Sequence, residues 1–223
     1  MSMIGQQSNM EIHDAPSVVH GRHVEVLSAI GQPAVELVVW QRCVPDQLHV
    51  WLETLELHDW PALRLLITPP DLPDALSLFL RERGLAMTAA SIILVQDIQA
   101  LATQYARIVG SERIEVRLEA INHDACWKFH RDCVAARLLT TYRGPATEWV
   151  VPAHASRALQ EQKAYSGPLE QLRSYHVALF KGSCAGSGSG IVHRSPAMSG
   201  CDDTRLLLCL NQPSVTSPPA WAG

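Results

Sequence analysis

Several features that would settle a function from composition alone are missing from this 223-residue chain. Basic charge is not in excess: 18 Lys and Arg against 22 Asp and Glu leave a formal net charge of −4. Nucleic acid is therefore not expected as a partner, because that grip needs a basic face. The local cluster Lys128, Arg131, Arg137 and Arg143 reads as solvated strand edges. No long hydrophobic run is present either; the longest, AASIILV, falls far short of the roughly 20 residues of a membrane helix. The start, MSMIGQQSNMEIHDAPS, lacks a basic stretch followed by an apolar one, so no secretory leader is expected. The chain is accordingly expected to be cytoplasmic, with no membrane partner and its six cysteines mostly reduced. No internal repeat breaks the chain into units. What is there, 47% hydrophobic and 18% charged residues, is the composition of a folded globular protein rather than a disordered one.

Periodicity divides the chain in two. Residues 1–17 are polar and aperiodic, and read as a flexible lead. From 18 to 110 the pattern is mainly helical, apart from one valine-rich strand in AVELVVWQR (34–42). PDQLHVWLETLE places Leu48, Trp51, Leu52 and Leu55 at helical spacing. PDLPDALSLFLRERG starts with proline and ends with glycine, as helices do. TAASIILVQDIQALATQYARIVG is the strongest helical signal and closes at Gly110.

After Gly110 the texture becomes strand-like. RIEVRLEAI, VAARLLTTYR, TEWVV, HVALFKG, SGIVHRSP and TRLLLCLN are short runs separated by turn residues, with one helix, HASRALQEQKA, among them. Short strands with Gly and Pro turns predict a sandwich or jelly roll. The fold class expected is α+β: a double-stranded β-helix (jelly roll) over 111–211, braced by N-terminal helices over 18–110. The two parts form a single domain, 18–211. The proline-rich tail, 212–223, is expected to be loose.

The chemistry concentrates in CWKFHRDCVAARLLTTYRGPATEWV. His130 and Asp132 stand two apart, which in a strand turns both to one face. Sixty residues on, GIVHRSP brings His193. Two imidazoles and a carboxylate make a facial metal triad that leaves coordination positions open, a set suited to Fe(II). Arg205 opens the last apolar strand, where a guanidinium needs an opposite charge such as the far carboxylate of a 2-oxo acid. Thr140 and Tyr142 share one strand face and offer hydroxyls beside it. Arg194 is the rival cation, but its place next to His193 points it to the other face.

This order of H-x-D, tyrosine-bearing strand, Gly-Pro turn, distal histidine and arginine resembles the Fe(II)/2-oxoglutarate-dependent oxygenases of the prolyl-hydroxylase-like branch, over roughly 113–211. CWKFHRDCVAARLLTTYRGPATEWV and VHRSP…RLLLCL are also similar to a bacterial family, domain of unknown function 1826, over most of the chain. The oxygenase resemblance implies iron on His130, Asp132 and His193. It also implies 2-oxoglutarate as co-substrate on Arg205, Tyr142 and Thr140, and a protein side chain or a small molecule as primary substrate.

Two other readings stay open at this level. His123, Cys126, His130 and Cys133 spell H-x2-C-x3-H-x2-C, donors that suit tetrahedral zinc. The chain would then be a non-enzymatic metal-binding protein in zinc or metal homeostasis. A cupin-like binder without catalysis is the third. GSCAGSGSG has no helix after it, so it reads as a hairpin loop rather than a phosphate loop.

Overall fold

The longest helix shows how local chemistry sets the frame. In the computed structural model, α1 (Asp46–Glu53) and α2 (Leu72–Glu82) precede α3 (Ala89–Val109). Thr88 caps α3 by accepting from the Ser91 N–H, and the Ser91 hydroxyl oxygen accepts in turn from the Thr88 N–H. The helix stops at Gly110, whose φ of +64° gives the left-handed cap that the sequence predicts there. Residues 17–57, 60, 62–185, 190–198 and 203–223 are described. The expected lead, except Ser17, lies outside them, as do His58, Cys201 and the middle of the glycine-rich loop, 186–189.

The strands are β1 (Val18–Gly21), β2 (Leu37–Trp40), β3 (Leu63–Ile67), β4 (Ile114–Ile121), β5 (Ala136–Arg143), β6 (Glu148–Val150), β7 (Glu170–Gln171), β8 (Val177–Lys181), β9 (Val192–Arg194) and β10 (Arg205–Asn211). Helix α4 (Pro152–Glu161) follows β6. Seven strands form one sheet in the order β1-β2-β8-β5-β10-β4-β3, and three form a second, β7-β6-β9. The expected strands and helices all occur, yet the N-terminal part is less purely helical than its periodicity predicts. It gives β1, β2 and β3 to the large sheet, where β1 and β3 are edge strands too short to outweigh the helices in the sequence pattern.

Burial assigns the two faces of the large sheet. Leu138, Tyr142, Leu206, Leu208 and Leu210 join the core under the helices. Leu37, Leu139, Ala178, Phe180, Leu207 and Cys209 face inward and meet Trp149 of the small sheet. Because both faces are covered, every residue of β10 is buried, which is why RLLLCLN reads as a continuous apolar run. The tail is not loose: Trp221 donates its N–H to Leu66 and packs on the helical core, and Ser217 donates to Glu115. Proline-rich composition hid a segment that covers the β3 edge.

One ionic network ties the helices to the sheet. Asp97 of α3 takes both ends of the Arg42 guanidinium and the Tyr142 hydroxyl, the latter at 2.5 Å. The Arg42 side chain is only 8% exposed, so removing the carboxylate strands a buried cation. Asp97→Ala should cost roughly 3–5 kcal/mol in chemical denaturation; a loss under about 1 kcal/mol would contradict the network's role.

Candidate metal centre and arginine pocket

His130 and His193 face each other across an isolated antiparallel bridge, with reciprocal N–H to C=O bonds of 3.0 and 3.1 Å. That pairing brings their rings to 4.5 Å, centroid to centroid. His193 sits on β9, where Phe180 of β8 stacks on its ring at 4.9 Å. His130 and Asp132 do not lie on a regular strand; His130 is in the bridge and Asp132 in the irregular segment after it. They still converge, because Asp132 is fixed through its backbone: Ser183 donates to the Asp132 carbonyl from both its N–H (2.8 Å) and its hydroxyl (3.1 Å). Gly182 permits this approach, since a Cβ there would lie 2.6 Å from the Asp132 carbonyl oxygen and 2.2 Å from that of Val134.

The side chains then present three donor atoms to one point. His130 Nε2 lies 3.6 Å from Asp132 Oδ1, and His193 Nε2 lies 3.5 Å from Asp132 Oδ2. One ligand atom from each residue falls within 4.8 Å of the others, the only such group of three or more His, Cys, Asp or Glu among the described residues. Each imidazole has its other nitrogen at a backbone carbonyl, His130 Nδ1 at Lys128 (2.8 Å) and His193 Nδ1 at Ile191 (3.2 Å). A carbonyl only accepts, so both Nδ1 atoms carry the proton and both Nε2 lone pairs face the centre.

Electrostatics differ across the group. Burial disfavours ionised Asp132, but His130, His193 and Arg137 together hold its carboxyl below the usual range. His130 is raised above its ordinary 6.5, chiefly by Asp132. Burial pushes His193 down to about 4, against the pull of Asp132. Asp132 Oδ2 is buried and accepts no hydrogen bond. Such an oxygen is costly unless something polar meets it.

A cavity of about 350 Å³ reaches from His130 and His193 to Arg205. Arg205 is 1% exposed and donates to Thr147 Oγ1 (2.6 Å), Ser195 Oγ (3.0 Å) and Thr141 Oγ1 (3.4 Å). Its Nε finds no partner, and among the described residues no carboxylate stands within salt-bridge distance of it. Burial lowers its pKa to about 10, which leaves it cationic at neutral pH. Arg194 points elsewhere, to Glu148 at 2.7 Å, as strand alternation predicts.

Two sequence expectations need correcting. Thr140 and Tyr142 do share a strand face, but it is the helical one: Tyr142 donates to Asp97, and Thr140 lies in phase with Leu138. Both faces of β5 are buried, so alternation alone does not say which is inner. The hydroxyl at Arg205 is Thr141, one residue along, joined by Thr147 from the Gly-Pro turn of the motif order and by Ser195, which no sequence pattern marks. Nor does the Cys/His zinc cluster form. Cys126 sits exposed on a turn with φ of +50°, and Cys133 is exposed beside Ser183.

A family profile described as protein of unknown function (DUF1826) matches residues 21–211. The chain belongs to this family. Among curated proteins, none matches the chain. Among solved structures, this DUF1826 chain is similar to the dioxygenase for auxin oxidation 1 from Arabidopsis thaliana, determined as a 2-oxoglutarate binary complex. The TM-score is 0.50 at 13% identity, over 90% of this chain and 94% of that one. A Pseudomonas putida prolyl-4-hydroxylase aligns at TM-score 0.42 and 12% identity, over 85% and 98% of the respective chains. At such identity the likeness to the plant dioxygenase is one of fold. No helix among the described residues is long and apolar enough to cross a membrane.

The two histidines predict a pH signature. Metal binding must displace the His130 proton but finds His193 already neutral. Mn(II) affinity should rise about tenfold per pH unit below the His130 titration, which Asp132 raises above the ordinary imidazole value, and level off beyond it. A slope of two protons in a calorimetric titration series would contradict the assignment.

Proposed function

We propose that this protein is an Fe(II)- and 2-oxoglutarate-dependent oxygenase of the hydroxylase type, its two facing sheets forming a double-stranded β-helix. One observation carries the reading. Two charges are unmet at one cavity: Asp132 Oδ2, 3.5 Å from the Nε2 of the lining residue His193, accepts no hydrogen bond, and Arg205 of the same lining has no carboxylate within salt-bridge distance among the described residues. A divalent cation answers the first and the far carboxylate of a 2-oxo acid answers the second. Two nitrogens and one carboxylate oxygen are the donor set that suits non-haem Fe(II) and leaves open positions. The plant dioxygenase of similar fold, solved with 2-oxoglutarate, supports the same assignment.

In this reading His130, Asp132 and His193 hold the iron, and Arg205 with Thr147 binds the co-substrate's far carboxylate. Bound there with 2-oxoglutarate and oxygen, iron would supply the oxidising power to hydroxylate a C–H bond, with succinate and carbon dioxide as by-products. The chain's own part is binding, orientation and exclusion of water. The Nδ1–H to carbonyl bonds lock both imidazoles with Nε2 inward. Leu139 and Leu207 line the cavity as an apolar floor, so a carboxylate on Arg205 is held in a setting where its charge pair is little screened. The primary substrate, a protein side chain or a small molecule, would enter past Ala62, His123 and Cys126, the exposed residues of the lining. A metal-binding protein without a co-substrate would leave the burial of Arg205 without a purpose.

The test separates the two charges. Arg205→Leu should weaken 2-oxoglutarate binding to the Mn(II)-loaded protein about tenfold to a thousandfold, since a charge-assisted bond is worth roughly 1.5–3 kcal/mol. Mn(II) affinity itself should stay within about threefold. Isothermal titration reads both; unchanged 2-oxoglutarate binding would remove the co-substrate from the proposal.

A further inference from the structure

Arg137 lies next to the triad and has no part in the scheme above. We infer that it is a positioning residue: it occupies one oxygen of Asp132, so that the carboxylate offers only the other, Oδ2, to a metal. The inference rests on reading His130, Asp132 and His193 as metal ligands.

The sheet register supplies the geometry. Strand pairing sets Arg137 of β5 directly opposite Asn211 of β10. Arg137 Nε donates to Asn211 Oδ1 at 2.7 Å, while the Asn211 amide nitrogen donates to Cys209 Sγ at 3.4 Å. The sulfur contact sets which way the Asn211 amide faces, and the amide oxygen in turn anchors the guanidinium. Its Nη1 is left aimed at Asp132 Oδ1, 2.5 Å away. Oδ2, by contrast, accepts no hydrogen bond and faces His193.

A carboxylate's oxygens are equivalent until something distinguishes them. Here a planar, permanently charged group distinguishes them in a side chain only 4% exposed. Turning Asp132 to give both oxygens to a metal would break a charge-assisted bond where water cannot replace it. Single-oxygen coordination keeps one more position of the metal open, which two further ligands, co-substrate and oxygen, require.

Two effects of Arg137 on the metal have opposite signs, and that makes the inference testable. As a nearby cation it repels a dication, so its removal should tighten binding. As a positioning group it keeps a ligand in place, so its removal should weaken binding, by the roughly 10- to 100-fold typical of lost outer partners. The experiment is titration of apo-protein with Mn(II) and with Co(II), the latter read also by its visible d–d absorption. Arg137→Met should weaken both metals about 10- to 100-fold and change the Co(II) spectrum, with Arg137→Lys restoring part of each. Should Arg137→Met fail to fold by circular dichroism, Asn211→Ala, which removes only the anchor, should still weaken binding about 3- to 10-fold. Equal or tighter binding with an unchanged Co(II) spectrum, while Asp132→Ala abolishes binding, would overturn the positioning role alone. Undiminished metal binding by Asp132→Ala would overturn the underlying metal site and this inference with it.

Discussion

A buried carboxylate organises the inner cavity. Asp132 draws His130, His193 and Arg137 toward one point, and the balance of their charges against burial keeps it ionised. The parts of the structure that hold these groups are otherwise unrelated. An isolated bridge joins the two histidines across the loop and β9, a glycine lets the backbone of residue 182 lie against residue 132, and strand register delivers Arg137. Each would be an oddity alone. Together they concentrate one negative charge where a cation would complete it.

The cavity's other end is organised by the converse problem. Arg205 is a full positive charge inside a sheet; among the described residues its hydrogen-bond partners are hydroxyls, and the Glu119 carboxylate of the same cavity stands beyond salt-bridge distance. Neutral hydrogen bonds offset part of the desolvation of a guanidinium, but not the missing counter-charge. The helical side handles its own buried arginine differently, closing Arg42 on Asp97 within the chain. Among the described residues one arginine has its carboxylate built in and the other does not; under the proposed function this contrast separates scaffold from binding site.

Much of the fold was legible because its signals are local. Helix α3 announces itself through a cap, a 3.6-residue period and Gly110, and β10 through an apolar run that only a doubly covered strand would carry. The pairing of H-x-D with His193 and Arg205 was legible as an order of residue types. What failed did so where the decisive information is not local. Thr140 and Tyr142 share a face as alternation predicts, but it is the one under the helices; both faces of β5 are buried, so phase fixes which residues are neighbours but not which core they enter. The tail's docking through Ser217 and Trp221 depends on the edge of β3, a strand the helical signal of the first half obscured. The hydroxyls of Thr147 and Ser195 at Arg205 come from a turn and a strand end that only the folded chain brings together.

The central claim is that both unmet charges belong to one binding event. It is tested most directly by titrating Fe(II) into the apo-protein without oxygen, in the presence and absence of 2-oxoglutarate, and following visible absorption. The account predicts weak Fe(II) binding that tightens with 2-oxoglutarate, accompanied by a weak charge-transfer band that neither component gives alone. Fe(II) affinity indifferent to 2-oxoglutarate, with no such band, would contradict it.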